Sequence, residues 1–255
     1  MKPYKSYVIC TSPRSGSTML CKMLSETGIA GHPESYFHTP SIPEWLSSFD
    51  LGEDNFDTEQ SALKAIFEGA QNQGTGTTGV FGLRLQGQSL PFFLKQLKKL
   101  HPEQSNDRQL IDTVFGETLF THLTRTNKLD QAVSLVKALQ SGLWHLASDG
   151  TEIERTAQPK PLVYDDVSIS RELKSMNALE DAWIIWFEQQ KLDPLQVTYA
   201  DLSQRPKATL ARILKALGQP IVNVQDITIG VAKLADQTNQ EWVDRFRAEH
   251  SSKHR

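Results

Sequence analysis

The stretch "YVICTSPRSGSTMLCKML", Tyr7 to Leu24, constrains this chain more than any other. A short apolar run meets a turn of small polar residues, and an amphipathic segment begins at once. That is the pattern of a strand, a tight turn and a helix. The first N–H groups of a helix point outward without partners, and the helix dipole favours an anion beside them. Ser17 and Thr18 add hydroxyl donors, and Arg14 adds a planar, permanently charged one. The competing reading is a polar capped turn with a surface arginine.

Spacing removes two familiar anion loops. A Walker A loop needs GxxxxGK[ST]. Gly16 and Thr18 fit, but Thr11 stands at the first glycine and Ser17 at the lysine. A cysteine-phosphatase loop needs five residues between cysteine and arginine, and Cys10 and Arg14 enclose three, so Cys10 is expected in the strand core. A third type of loop, that of sulfotransferases, carries its cation inside a Ser/Thr/Gly-rich turn and needs no metal.

Further strand-then-helix units follow. "TTGVFGLRLQ" is β-rich, and the next segment repeats Leu90, Leu94, Leu97 and Leu100 at helical spacing. "TLFTHLTR" precedes "NKLDQAVSLVKALQSGLW", where Leu129, Val133, Val136, Leu139 and Leu143 are expected on one helix face, with Trp144 also on an apolar helical face. A long helix around "ELKSMNALEDAWIIWFEQQ", carrying Trp186, leads to "PLQVTYADL" and to "KATLARILKALG", with a stop at Gly218. This alternation predicts a three-layer α/β sandwich with a central parallel sheet, a single domain over 1–255. Residues 31–60 and 148–168 are expected to be irregular, the latter a surface loop or lid.

Composition narrows the class. The net charge of −3 argues against a nucleic-acid-binding protein, and no apolar run approaches a membrane span. Two cysteines without a Cys/His cluster indicate neither a disulfide framework nor a metal site. The expectation is a soluble, cytoplasmic protein.

The residues Arg14-Ser15-Gly16-Ser17-Thr18, Thr27-Gly28-Ile29-Ala30-Gly31, Pro33, Glu34, Tyr36 and Phe37 together resemble the bacterial trehalose 2-sulfotransferase family. The resemblance extends from about Tyr7 to about Arg247, through "QAVSLVKALQSGLW", "VTYADLSQRPKATLARILKALG" and "LADQTNQEWVDRFRAEH". It implies a sulfotransferase fold related to P-loop nucleotide kinases. The implied reaction transfers a sulfuryl group from 3′-phosphoadenosine-5′-phosphosulfate (PAPS) to a hydroxyl of a carbohydrate or glycolipid, releasing adenosine 3′,5′-bisphosphate (PAP) without a metal. Members of the family can dimerise.

The resemblance also assigns roles. Arg14, Ser15, Gly16, Ser17 and Thr18 would hold the 5′-phosphosulfate, and Arg125 with Ser134 the 3′-phosphate. Tyr199, Gln237, Thr238 and Arg245 are candidates to approach the nucleotide, and Arg84 either enters the site or forms a structural ion pair. The acceptor hydroxyl needs a general base, which the family supplies as a glutamate. Here Ser35 stands at its place and Glu34 one position earlier, so the candidates are Glu34, His32 and His38. Segments 36–80 and 148–168 are expected to shape the acceptor pocket. Two alternatives are an ATP-dependent small-molecule kinase and an inactive PAP-binding module.

Overall fold

A computed structural model describes residues 4–251 apart from 148, 222–223, 229 and 231–235. The C-terminal "KHR" and the "LA" that opens "LADQTNQ" lie outside the described residues. The first half runs β1 (Ser6–Thr11), α1 (Ser17–Glu26), α2 (Ile42–Ser48), α3 (Glu59–Thr75), β2 (Phe81–Gln86), α4 (Leu90–Leu100) and α5 (Asp107–Phe115). Next come β3 (Thr118–Thr124), α6 (Lys128–Ser141), β4 (Leu143–Leu146), β5 (Glu152–Arg155) and α7 (Asp166–Gln189). The chain closes with β6 (Leu195–Thr198), α8 (Tyr199–Gln204), α9 (Pro206–Ala216) and α10 (Gln237–Ser251).

Strands β2, β1, β3 and β6 lie side by side in that order, all parallel. Central β1 is buried along its whole length, which is why its sequence is a continuous run rather than an alternation. Its side chains nevertheless part to two faces. Val8 and Cys10 join Leu83, Phe93, Phe115 and Trp183 in one cluster, built on α3, α4, α5 and α7. Tyr7 and Ile9 join Leu20, Leu24, Leu210 and Leu214 in the other, built on α1 and α9. The result is the expected three-layer α/β sandwich. Cys10 is strand core, as read from its spacing.

The chain turns back at β1, with β2 on one side of it and β3 on the other. Loops leaving the C-terminal ends of adjacent β1 and β3 therefore border a crevice, the usual ligand position in open α/β sheets.

Three regions depart from the sequence reading. Helix α2 and the start of α3 occupy chain expected to be irregular. Leu63, Ile66, Phe67 and Ala70 of α3 are core, so this part of segment 36–80 packs the fold instead of lining a pocket. Helix α6 ends at Ser141, because Gly142 adopts φ 69°, and Leu143 and Trp144 leave the helix for a strand. Strand β5 then pairs antiparallel with β4, so the expected loop begins as a ribbon.

Candidate active site

The turn after β1 is held from several sides. Ser15 Oγ and Thr11 Oγ1 share a hydrogen bond of 2.5 Å, and buried Gln131 on α6 donates to Ser12 Oγ (2.9 Å) and to the Pro13 carbonyl (2.6 Å). The Trp183 indole donates to the Thr11 carbonyl at 2.9 Å. Arg14 sits at φ 63°, a left-handed conformation that non-glycine residues adopt at a cost. Gly16 follows at φ 87°, and a Cβ there would stand 2.8 Å from Tyr199 Cδ2, so only glycine allows that ring to close on the turn.

Helices α2, α3, α5, α6, α7 and α8 are capped by the side chains of Ser41, Thr58, Asn106, Asn127, Asp165 and Thr198. Helix α1, with Gly16 as its N-cap, has no side-chain cap, and neither do α4 and α9; only α1 of these three starts beside the turn after β1. Its first N–H groups are left for something else, and that end opens on a cavity of about 890 Å³.

Arg14 crosses this cavity. Its Nε donates to Ser134 Oγ at 3.0 Å and its Nη1 to the Trp144 carbonyl at 2.7 Å. Arg125, 9% exposed, stands with its guanidinium 4.7 Å from the centre of the Tyr199 ring and 3.6 Å from Asp130. Burial lowers the pKa of both arginines, and Arg125 lowers that of Arg14 further. Both stay charged, since guanidinium does not lose its proton in proteins. Two desolvated cations facing one cavity form a site that an anion relieves.

Next to the start of α1, Arg84 of β2 donates from Nε to Ser35 Oγ (2.7 Å), from Nη1 to Thr18 Oγ1 (2.8 Å) and from Nη2 to Glu34 Oε2 (3.3 Å). The Glu34 backbone bridges to β2, fixing this contact. Arg84 thus both enters the site and makes an ion pair. The β4–β5 ribbon forms the facing wall with Trp144, His145, Glu154 and Thr156. His145 Nε2 lies 3.0 Å from Thr18 Oγ1 and 3.6 Å from Glu154 Oε2.

The cavity thus gathers Arg14, Gly16, Ser17, Thr18, Glu34, Arg125, Ser134 and Tyr199. Ser15, of the predicted anion-holding residues, is buried behind the turn with its hydroxyl bonded to Thr11, and it does not line the cavity. Among the base candidates, Glu34 and His38 line the cavity and His32 does not. His32 is exposed beside Gly76. Gln237, Thr238 and Arg245 lie on α10 away from the cavity, with Arg245 stacked 3.9 Å from the Tyr164 ring and paired to Glu249.

Trp186 is core, but Trp144 is not on a helical face at all. It is a half-buried strand residue of the cavity wall. The apolar period of α6 runs on through Leu143 and carries Trp144 and His145 into the expected helix, although Gly142 is an available stop signal; Glu154 falls in the segment expected to be a loop. Among the described residues, no three His, Cys, Asp or Glu side chains converge on a cation position.

Comparison with known proteins gives the family of the chain. The trehalose 2-sulfotransferase of Mycobacterium tuberculosis (strain Erdman) is 29% identical over 267 residues, covering 96% of this chain and 95% of the relative. That of Mycolicibacterium smegmatis is 27% identical, covering 95% and 94%. A crystal structure of a sulfotransferase from Alicyclobacillus acidocaldarius aligns with TM-score 0.46 at 13% identity, over 98% of this chain and 92% of that one. The sequence model of the Stf0 sulphotransferases matches residues 6–249, nearly the entire chain, so this sulfotransferase belongs to the Stf0 sulphotransferase family.

Proposed function

We propose that the chain acts as one catalytic domain transferring a sulfuryl group from PAPS to a hydroxyl of a neutral carbohydrate or glycolipid. One observation carries the donor assignment. The uncapped start of α1, Arg14, Arg125 and Ser134 all face a single cavity, and the Arg14–Ser134 hydrogen bond joins the turn to the helix after β3. A nucleotide with phosphate at both its 5′ and 3′ positions fits that layout, and one with a single phosphate uses half of it.

PAPS, when bound, supplies the activated sulfuryl group and a leaving phosphate. Arg14 and the first N–H groups of α1 hold the 5′ end and balance the negative charge that grows on the departing oxygen. Arg125 and Ser134 hold the 3′-phosphate through charge-assisted bonds. Tyr199, locked against Gly16, orients Arg125 and closes the nucleotide side. At the acceptor end Glu34 takes the proton of the attacking hydroxyl, held in place by Arg84. Tyr36, His38, Ser48, Gln86 and Gln88 line that end with uncharged or weakly basic groups, suited to a polyol. Trehalose, named for the relatives, is one such sugar. Two buried unpaired cysteines accord with a cytoplasmic, reducing setting.

The test is metal-free calorimetric titration with PAP, 5′-AMP and ATP. PAP should bind far more tightly than either, and Arg125→Ala should weaken PAP much more than 5′-AMP. Equal binding of all three would remove the second anion end. A screen of neutral sugars with PAPS then identifies the acceptor, and turnover only with anionic acceptors would overturn the polyol assignment.

A further inference from the structure

The β4–β5 ribbon brings one ionisable ring into the donor end that no motif accounts for. The His145 side chain is 21% exposed, and its Nε2 touches Thr18 Oγ1 in the first turn of α1. Charged groups face it from every side. Arg14 stands on the turn, Lys22 on α1, Arg84 on β2 and Glu154 on β5. Burial, then Arg14, Arg84 and Lys22, hold its pKa at about 4; half-exposed Glu154 does not offset them. At neutral pH the ring is uncharged. Because Arg84 already donates to Thr18 Oγ1, the Thr18 proton is free to point at the neutral Nε2, away from the cavity.

We infer that His145 is a proton-linked ligand of the anion held at the turn. When a phosphosulfate or phosphate occupies the turn, the ring takes a proton from solvent and joins Arg14 and Arg84 as a third cation at that end. Its Nε2–H then donates to Thr18 Oγ1, and the Thr18 hydroxyl turns to donate to the anion. The nucleotide aspect of this assignment rests on the PAPS reading above.

The physical cause is local. An anion against Arg14 and Thr18 cancels the arginine charges that oppose protonation and adds an attraction of its own. One unit charge about 4 Å away, at an effective dielectric near 20, shifts a protonation equilibrium roughly a thousand-fold. That is enough to lift an imidazole from about 4 to near neutrality. Proton uptake on binding means that affinity for the anion rises as pH falls toward neutrality and below.

The experiment is calorimetry at pH ~6.5 in buffers of different ionisation enthalpy, with PAP and with inorganic sulfate as separate ligands. Wild-type protein should take up protons with both ligands. His145→Gln should take up fewer and bind about tenfold more weakly. The phosphates of PAP contribute equally to both proteins, and sulfate contributes nothing near this pH, so the difference isolates the ring. Equal uptake in the two proteins overturns the inference. Uptake with sulfate that His145→Gln loses, without PAP binding, would keep His145 and remove the nucleotide reading; binding of neither anion overturns both. The wild-type protein answers independently of the variant: the His145 ring followed by NMR should titrate near 4 alone and well above that with either ligand, and an unmoved midpoint overturns the proposal.

Discussion

Arg14 and Ser134, 120 residues apart, are joined by a hydrogen bond of 3.0 Å from the guanidinium Nε to the serine oxygen. One residue belongs to the turn after β1 and the other to the helix after β3. The bond therefore spans the crevice where the sheet changes direction, and it makes the two anion ends one site. Arg14 holds this position in a left-handed backbone conformation. The turn accepts local strain to aim a guanidinium across the cavity.

Replacing Arg14 with glycine should separate those two properties. Relief of the positive φ is worth about 1–2 kcal/mol. It is offset by the entropy of glycine in the unfolded chain and by the lost bonds to Ser134 and Trp144. Stability should stay within about 1 kcal/mol of wild type, while kcat/KM falls about 10²–10³-fold, the usual cost of removing a donor aimed at developing charge. Denaturant unfolding beside steady-state kinetics checks this. A variant with near-normal turnover would show that Arg14 only shapes the turn.

Gly16→Ala tests the other face of the turn. The new Cβ would stand 2.8 Å from the Tyr199 ring at a φ of 87°, so the ring must move and Arg125 with it. We expect a loss of about 1–3 kcal/mol from crowding and backbone strain together. With Arg125 at the 3′-phosphate, as proposed, PAP affinity should fall more than the affinity for 5′-AMP. Adding Tyr199→Ala should recover stability but not affinity. If Gly16→Ala weakens both nucleotides equally, the turn and not Tyr199 carries the effect.

Glu34→Gln distinguishes the proton acceptors. An amide oxygen still accepts from Arg84, so the loop should keep its shape. The kcat should drop about 10²–10⁴-fold with PAP binding unchanged. His38→Ala, within the cavity, and His32→Ala, outside it, should each change kcat less than about threefold. A large loss in His38→Ala with a mild one in Glu34→Gln would transfer the role to the histidine.

The donor end was legible because its signals are local. A strand-turn-helix carries its chemistry within seven residues, and Arg125 and Ser134 are one β-to-α crossing. The sheet was legible because buried parallel strands read as apolar runs. The ribbon was not. "EIER" in β5 is charged and exposed, with no core face to impose an alternation, and β4 borrows its apolar residues from the period of α6. Gln131 and His145 reach the turn through tertiary geometry, from residues whose sequence neighbours look like ordinary helix or strand. Arg245 shows the converse: an arginine in a family-like segment, spent on packing against Tyr164.

The depressed pKa of His145 makes a stability claim for the ligand-free protein. The ring is near 4 when folded and 6.5 when not, so between those values the unfolded chain binds more protons than the native one. Stability is unaffected above pH ~7 and falls as pH drops through 6.5 toward 4, by at most about 3 kcal/mol from this residue. Opening of the β4–β5 ribbon would cap the loss sooner, since it releases the ring to water. His122, buried beside Glu180 and also shifted down mainly by burial, adds a loss of the same sign. In His145→Gln the dependence over this window should flatten, leaving the share of His122 and, at the acid end, of carboxylates held low in the fold such as Glu180. PAP, by favouring the charged ring, should flatten it in the wild type. Thermal melts at half-unit pH steps measure all three curves; a His145→Gln curve parallel to wild type would mean that the ring is not held neutral in the folded protein.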